Sequence, residues 1–161
     1  MKSYVPITHM YTDDSGHTRF KEKTLPLKPK TGLGSVGSFS SLFVNQILDD
    51  NSGDIKMQFA VTPVPKKIDG EGPKLAHTAP RRQLVITLEG VLEFKSCDID
   101  FLDSEHQTII TKGQILLADD LVGAGHVWSF LKNKEGKMLP WVRCYLHLGE
   151  EYEHFTSRLE G

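Results

Sequence analysis

Four residues at alternate positions, His77, Ala79, Arg81 and Gln83, share one face of any regular strand, because side chains alternate along it. That face carries an imidazole, a guanidinium and a primary amide. An imidazole can ligate a metal or move a proton, and an amide oxygen can ligate or accept a hydrogen bond. A guanidinium can hold a carboxylate through two parallel bonds. A second run, His126, Trp128 and Phe130, has the same alternation and offers one imidazole followed by two aromatic rings. Lining a cavity, those rings suit a cyclic or short aliphatic ligand; packed together, they are ordinary core aromatics. Arg81 has two readings as well: an anion clamp, or a salt bridge at the surface or at a dimer interface. Arg82 faces the other way and reads as structural.

Asp119 and Asp120 precede the glycine-rich approach to His126. One of them could be a general base or could orient His126, while capping of the turn is the plainer role. His147 alternates with Arg143 and Tyr145 opposite an apolar face, which leaves its direction open. His9, His17, His106 and His154 fall in turns or tails and read as solvated.

The elements that must position these groups read as strands. The chain has 161 residues with 14 Gly and 8 Pro, and these punctuate short runs of β-formers. That pattern is the mark of an all-β sandwich or barrel. Met10-Tyr11-Thr12, the turn Asp13-Asp14-Ser15-Gly16 and His17 to Phe20 form a hairpin. Residues 24 to 38 read as an irregular arm. Strands are expected over Ser40 to Leu48 and Ile55 to Thr62, on either side of a turn at 50 to 54. Residues 63 to 74 are a loop. Gln83 to Leu88 is the strongest strand, followed through Glu89-Gly90 by Val91 to Phe94. Asp98 to Leu102 and Gln107 to Thr111 frame a turn at 103 to 105. Further strands are Gln114 to Ala118, His126 to Leu131 and Met138 to Leu148, and the tail could close with a short helix carrying Tyr152 and Phe155 on one face.

The strand at 83 to 88 is apolar on both sides: Leu84, Ile86 and Leu88 on one, Val85 on the other. Both faces are therefore covered. The outer cover is expected to be the N-terminal arm or a partner subunit, and a homodimer is the usual answer for such a patch.

The segment from Gly72 through His77-Thr78-Ala79-Pro80-Arg81-Arg82-Gln83 to Gly90 resembles the first motif of the cupin superfamily. That motif is a Gly, a His-x-His pair, a Glu three or four residues on, then six residues and a Gly; Gln83 to Gly90 keeps the six-residue gap. Gly113 to His126, with Gly123-Ala124-Gly125-His126, resembles the second motif, which ends in Gly-x-x-His. The resemblance covers roughly residues 55 to 148. His-Thr-Ala-Pro-Arg-Arg-Gln and the N-terminal Tyr-Thr-Asp-Asp-Ser-Gly turn are similar to small single-domain cupins.

The resemblance implies an all-β double-stranded β-helix, a jelly-roll barrel. Residues 1–161 would be a single domain: a hairpin and arm over 1–50, the barrel over 55–148 and a tail over 149–161. In metal-binding cupins the ligands are the two His and the Glu of the first motif and the His of the second. By position these fall on His77, Ala79, Gln83 and His126, so Ala79 and Gln83 depart from the pattern, as do Leu121 for a Pro and Phe130 for an Asn. His77, Gln83 and His126 are thus the implied metal ligands, with Arg81, Trp128 and Phe130 as substrate-binding residues. Two imidazoles and an amide can hold a divalent cation such as Fe, Mn, Ni or Zn. Without an anionic ligand such a site is weak, and its open positions suit oxygenase or isomerase chemistry on a small polar metabolite. No organic cofactor is implied. The alternative is a barrel whose metal site has decayed, acting as a binding or sensing module.

Composition narrows the classes. Lys and Arg total 19 against 21 Asp and Glu, a formal net charge of -2. No basic stripe appears, which argues against nucleic acid, and no polybasic amphipathic segment argues for a membrane surface. Cys97 and Cys144 form no CxxC pair and read as reduced thiols. With no apolar signal core at Met1 to Pro6, the expected location is cytoplasmic.

Overall fold

The first hairpin follows from its turn chemistry. In the computed structural model, which describes residues 3–30, 39–41, 57–66, 75–97, 103–148 and 155–161, β1 (Ser3–Thr12) pairs antiparallel with β2 (Thr18–Lys30). Asp13 Oδ1 accepts hydrogen bonds from the backbone N–H groups of Ser15 and His17, at 2.9 and 3.0 Å. Gly16 supplies the positive φ of 83° that closes the turn.

The remaining strands are β3 (Phe39–Ser41), β4 (Met57–Thr62), β5 (Gln83–Glu89), β6 (Val91–Ser96), β7 (Gln107–Thr111), β8 (Ile115–Asp119), β9 (His126–Phe130) and β10 (Trp141–His147). They form a seven-stranded sheet ordered β3-β2-β1-β8-β5-β10-β4 and a three-stranded sheet ordered β7-β6-β9. All pairings are antiparallel except β1 with β8. The described residues are all-β apart from a helical turn at 155–156, and the two sheets do not join into one closed barrel. No helix among the described residues is long and apolar enough to cross a membrane. Neither Cys97 nor Cys144 is in a disulfide.

The core lies between the sheets. Met10, Phe20, Val85, Leu116, Ala118 and Trp141 of the large sheet meet Leu92, Phe94, Ile110 and Phe130 of the small one, and all ten are buried. Alternation then sends the odd residues of β10 toward this interior: Tyr145 stands opposite Val85, and His147 opposite Gln83.

Three expectations need correction. Residues 24 to 30 are not an irregular arm but the second half of β2. Pro26 is tolerated because β2 has a ladder partner on its outer side only from Lys28 onward, and Pro29 because its pairing with β1 ends at Leu27. The outer face of β5 is covered within the chain by the C-terminal tail rather than by an irregular arm. Leu84 and Leu117 pack there with Ile7, Leu25 and Leu148 beneath Phe155 of the C-terminal tail, and Leu159 adds to the cluster. A bridge between Thr24 and Glu160 pins the tail down. His106 is not solvated: it is buried and lies 2.6 Å from Asp103 Oδ1. The stretches 42 to 48, 50 to 54 and 98 to 102, and the residues Gly72, Tyr152 and His154, lie outside the described residues.

Candidate functional site

A cavity of about 450 Å³ opens between the two sheets, a size that suits a small metabolite. His77, Arg81, Gln83, His126 and Trp128 all line it, together with Arg143, Tyr145 and His147 of β10. Phe130 does not. It is buried in the core, edge-on to Trp128 at 5.5 Å between ring centres, because the cavity ends at the Trp128 layer.

The meeting of His77 with His126 is a backbone event. The two residues form a bridge, His77 N–H donating to His126 O at 3.1 Å and His126 N–H to His77 O at 2.9 Å. Their ring centres are 4.6 Å apart. Gly125 permits the approach. Its φ is +76°, and a Cβ there would stand 2.5 Å from the carbonyl carbon of His77. The glycine before His126 is therefore a space requirement as well as a conformational one.

Both imidazoles are oriented through Nδ1. His77 Nδ1 donates to Leu75 O at 3.1 Å, and His126 Nδ1 donates to Asp120 Oδ2 at 2.6 Å. Both acceptors are oxygens, so each ring presents the lone pair of Nε2. The two rings differ in setting, since His77 is exposed at the rim while His126 is 4 % exposed.

Asp120 is the hub that holds His126. It is fully buried, and Thr18 Oγ1 donates to its Oδ2 at 3.0 Å while Ala79 N–H donates to its Oδ1 at 3.2 Å. One carboxylate thus ties the first hairpin, the segment leading into β5 and the imidazole of β9. Of the two roles weighed for this Asp pair, orienting His126 belongs to Asp120. Asp119 turns outward, accepting from Arg82 Nε at 3.0 Å and lying 3.4 Å from His9 Nε2. Arg82 is structural, as its parity implies, and His9 is half-buried rather than solvated.

Gln83 is buried and lines the cavity, and its amide has no hydrogen-bond partner among the described residues. Lining the cavity, that amide is open to whatever enters it, water or ligand. Aromatic rings make the wall beside it. Trp128 and Trp141 lie 4.9 Å apart, and Phe94 contacts both Trp141 and His126 at 5.8 and 5.6 Å.

Sequence reasoning underrated β10. Arg143 stacks on Trp141 with its Cζ 3.9 Å from the ring centre, and its Nε donates to Tyr145 Oη at 2.5 Å. The signal was present as alternation of Trp141, Arg143, Tyr145 and His147. Only the register with β5 tells which side of the sheet they occupy. Among the described residues, no group of three His, Cys, Asp or Glu gathers to hold a metal.

No family model, curated protein or solved structure matches this chain.

Proposed function

We propose that this chain is a small cupin-type jelly-roll protein whose inter-sheet pocket takes a small polar metabolite and works on it with a divalent metal at the His77–His126 pair. The observation that carries this reading is the shared arrangement of two cavity-lining rings, each committing Nδ1 to an oxygen and so keeping the lone pair on Nε2. That is how protein imidazoles are prepared as ligands.

The donor set fits a weakly held cation. Two imidazole nitrogens are present, the third position falls to the Gln83 amide oxygen, and no carboxylate lines the pocket among the described residues. When bound, a cation there supplies Lewis acidity at its open positions. The chain's own residues do the rest. Asp120 fixes the tautomer and angle of His126, Gln83 offers a neutral polar contact, and Trp128, Trp141 and Phe94 keep one side of the cavity apolar. Oxygenase or isomerase chemistry suits such a site.

Elemental analysis after anaerobic purification is the test. Wild-type protein is expected to carry close to one equivalent of Fe, Mn, Ni or Zn, and His126→Ala almost none. Full occupancy in that variant would defeat the assignment.

A second reading is favoured by Ala79 at the place of a ligand and by the exposure of His77: a binding or sensing module that uses no metal. It expects ligand-induced stabilisation that survives chelation. A homodimer belongs to either reading. Its contact face would be the outer side of edge strand β4, where Met57, Phe59 and Val61 are exposed; sedimentation of the purified chain tests that.

A further inference from the structure

We infer that the pocket selects a carboxylate carried on a flat, apolar body, and that Arg143 is the residue that selects it. This rests on the pocket being a ligand site, as read above, but not on the metal.

The first observation is the charge of the lining. Two guanidinium groups, Arg81 and Arg143, face the cavity, and no Asp or Glu among the described residues does. The carboxylate of Asp120 is committed to His126, Thr18 and the Ala79 N–H. Arg81 sits exposed at the rim, but Arg143 is half-buried. Withdrawing a guanidinium from water is costly unless an anion compensates it.

The second is what holds Arg143. Nε donates to Tyr145 Oη at 2.5 Å, and Nη1 donates to Thr62 Oγ1 at 2.8 Å and to the Trp141 carbonyl at 3.2 Å. All three acceptors are neutral. They fix the plane of the group without cancelling its charge, while Nη2 has no hydrogen-bond partner among the described residues. Tyr145 accepts from Arg143, so its own O–H proton is left to donate. A pre-set N–H beside a phenol O–H makes a two-point seat for the oxygens of one carboxylate.

The third is the shape of the wall. Arg143 lies 3.9 Å over Trp141, and Trp128 meets that ring edge to face with centres 4.9 Å apart. A ligand anchored at Arg143 therefore meets a wall made of aromatic rings, which favours a planar unsaturated or aromatic skeleton.

Trp128 and Trp141 are the only tryptophans of the chain and both line the cavity, so tryptophan fluorescence, excited selectively over tyrosine, reports on this pocket. The probes are benzoate and its neutral isostere benzamide, each titrated through the millimolar range into the full chain, once with a chelator and once with added Zn²⁺. Saturable fluorescence change with benzoate in the chelated sample is expected, with benzamide about tenfold weaker or worse. Arg143→Gln should reduce benzoate binding to the level of benzamide, and Arg143→Lys should recover only part of it, because a point charge lacks the planar fork. Equal binding of the two probes to wild-type protein would overturn the proposal, whether or not the Arg143 variants fold. So would the absence of any benzoate response, or a response that needs Zn²⁺ and is unchanged in Arg143→Gln; that last outcome would leave the metal reading standing. Failure to bind Zn²⁺ leaves the chelated arm fully readable.

Discussion

His77 and His126 are joined twice, by a reciprocal pair of backbone hydrogen bonds and by rings whose centres are 4.6 Å apart. The side-chain pair is therefore only as well placed as the backbone bridge beneath it. Anything that separates the strand of β9 from the segment before β5 dismantles the candidate site without touching an imidazole.

Gly125→Ala tests that dependence. Its φ of +76° is strained for any residue with a Cβ, and that Cβ would meet the carbonyl of His77. A destabilisation of about 1–3 kcal/mol is expected from the backbone conformation alone. Urea unfolding measures it. In NMR spectra the His77 and His126 ring signals should shift far more than those of His17, and unchanged ring signals would show the bridge to be unimportant.

Asp120→Asn removes the charge that receives the His126 Nδ1 proton but keeps the shape. Three donors converge on this fully buried carboxylate. A loss of about 1–3 kcal/mol is expected in urea unfolding. If the site takes a metal, affinity should also fall by about 10- to 100-fold, the usual effect of losing a partner that orients a histidine ligand. Isothermal titration with Zn²⁺ measures the second effect independently of the first.

Phe155→Ala should cost about 3–5 kcal/mol, the usual range for truncating a fully buried phenylalanine. Thermal unfolding checks this. A cost near zero would mean that another group covers Leu84 and Leu117.

The acid limb of stability should contain a contribution from Asp13. The hydrogen bond from Arg19, at 2.7 Å, and those from His17 and Ser15 lower its pKa from 3.8 to about 2. A carboxyl lowered on folding stabilises at pH values above its unfolded pKa and loses that effect as pH falls through the folded one. The window is thus from about 4 down to about 2. Asp13→Asn should lower the thermal midpoint at neutral pH and flatten its decline across that window, with a small effect because the group is solvent-screened.

Much of this site was legible because alternation is a strong constraint. His77, Arg81 and Gln83 share a parity, the strand that begins at Gln83 is dense in Leu, Val and Ile, and all three side chains do line one cavity. What could not be read was partnership. Arg143, Tyr145 and His147 make a polar stripe that would look the same on a solvent-facing wall, and only their pairing with Thr87, Val85 and Gln83 turns them inward. Pro26 and Pro29 argued for an arm, since the missing N–H matters only where a neighbouring strand needs it. Leu84 announced that something covers it, but an apolar face is satisfied equally by a tail or by another molecule.

The seal formed by Phe155 has a consequence for how the chain matures. Every strand of the large sheet precedes residue 148, yet its outer apolar layer is roofed by a ring seven residues later. During synthesis the sheet must wait with Leu84 and Leu117 uncovered until that ring clears the ribosome. In that interval chaperones, or nascent copies nearby, compete for the same greasy surface.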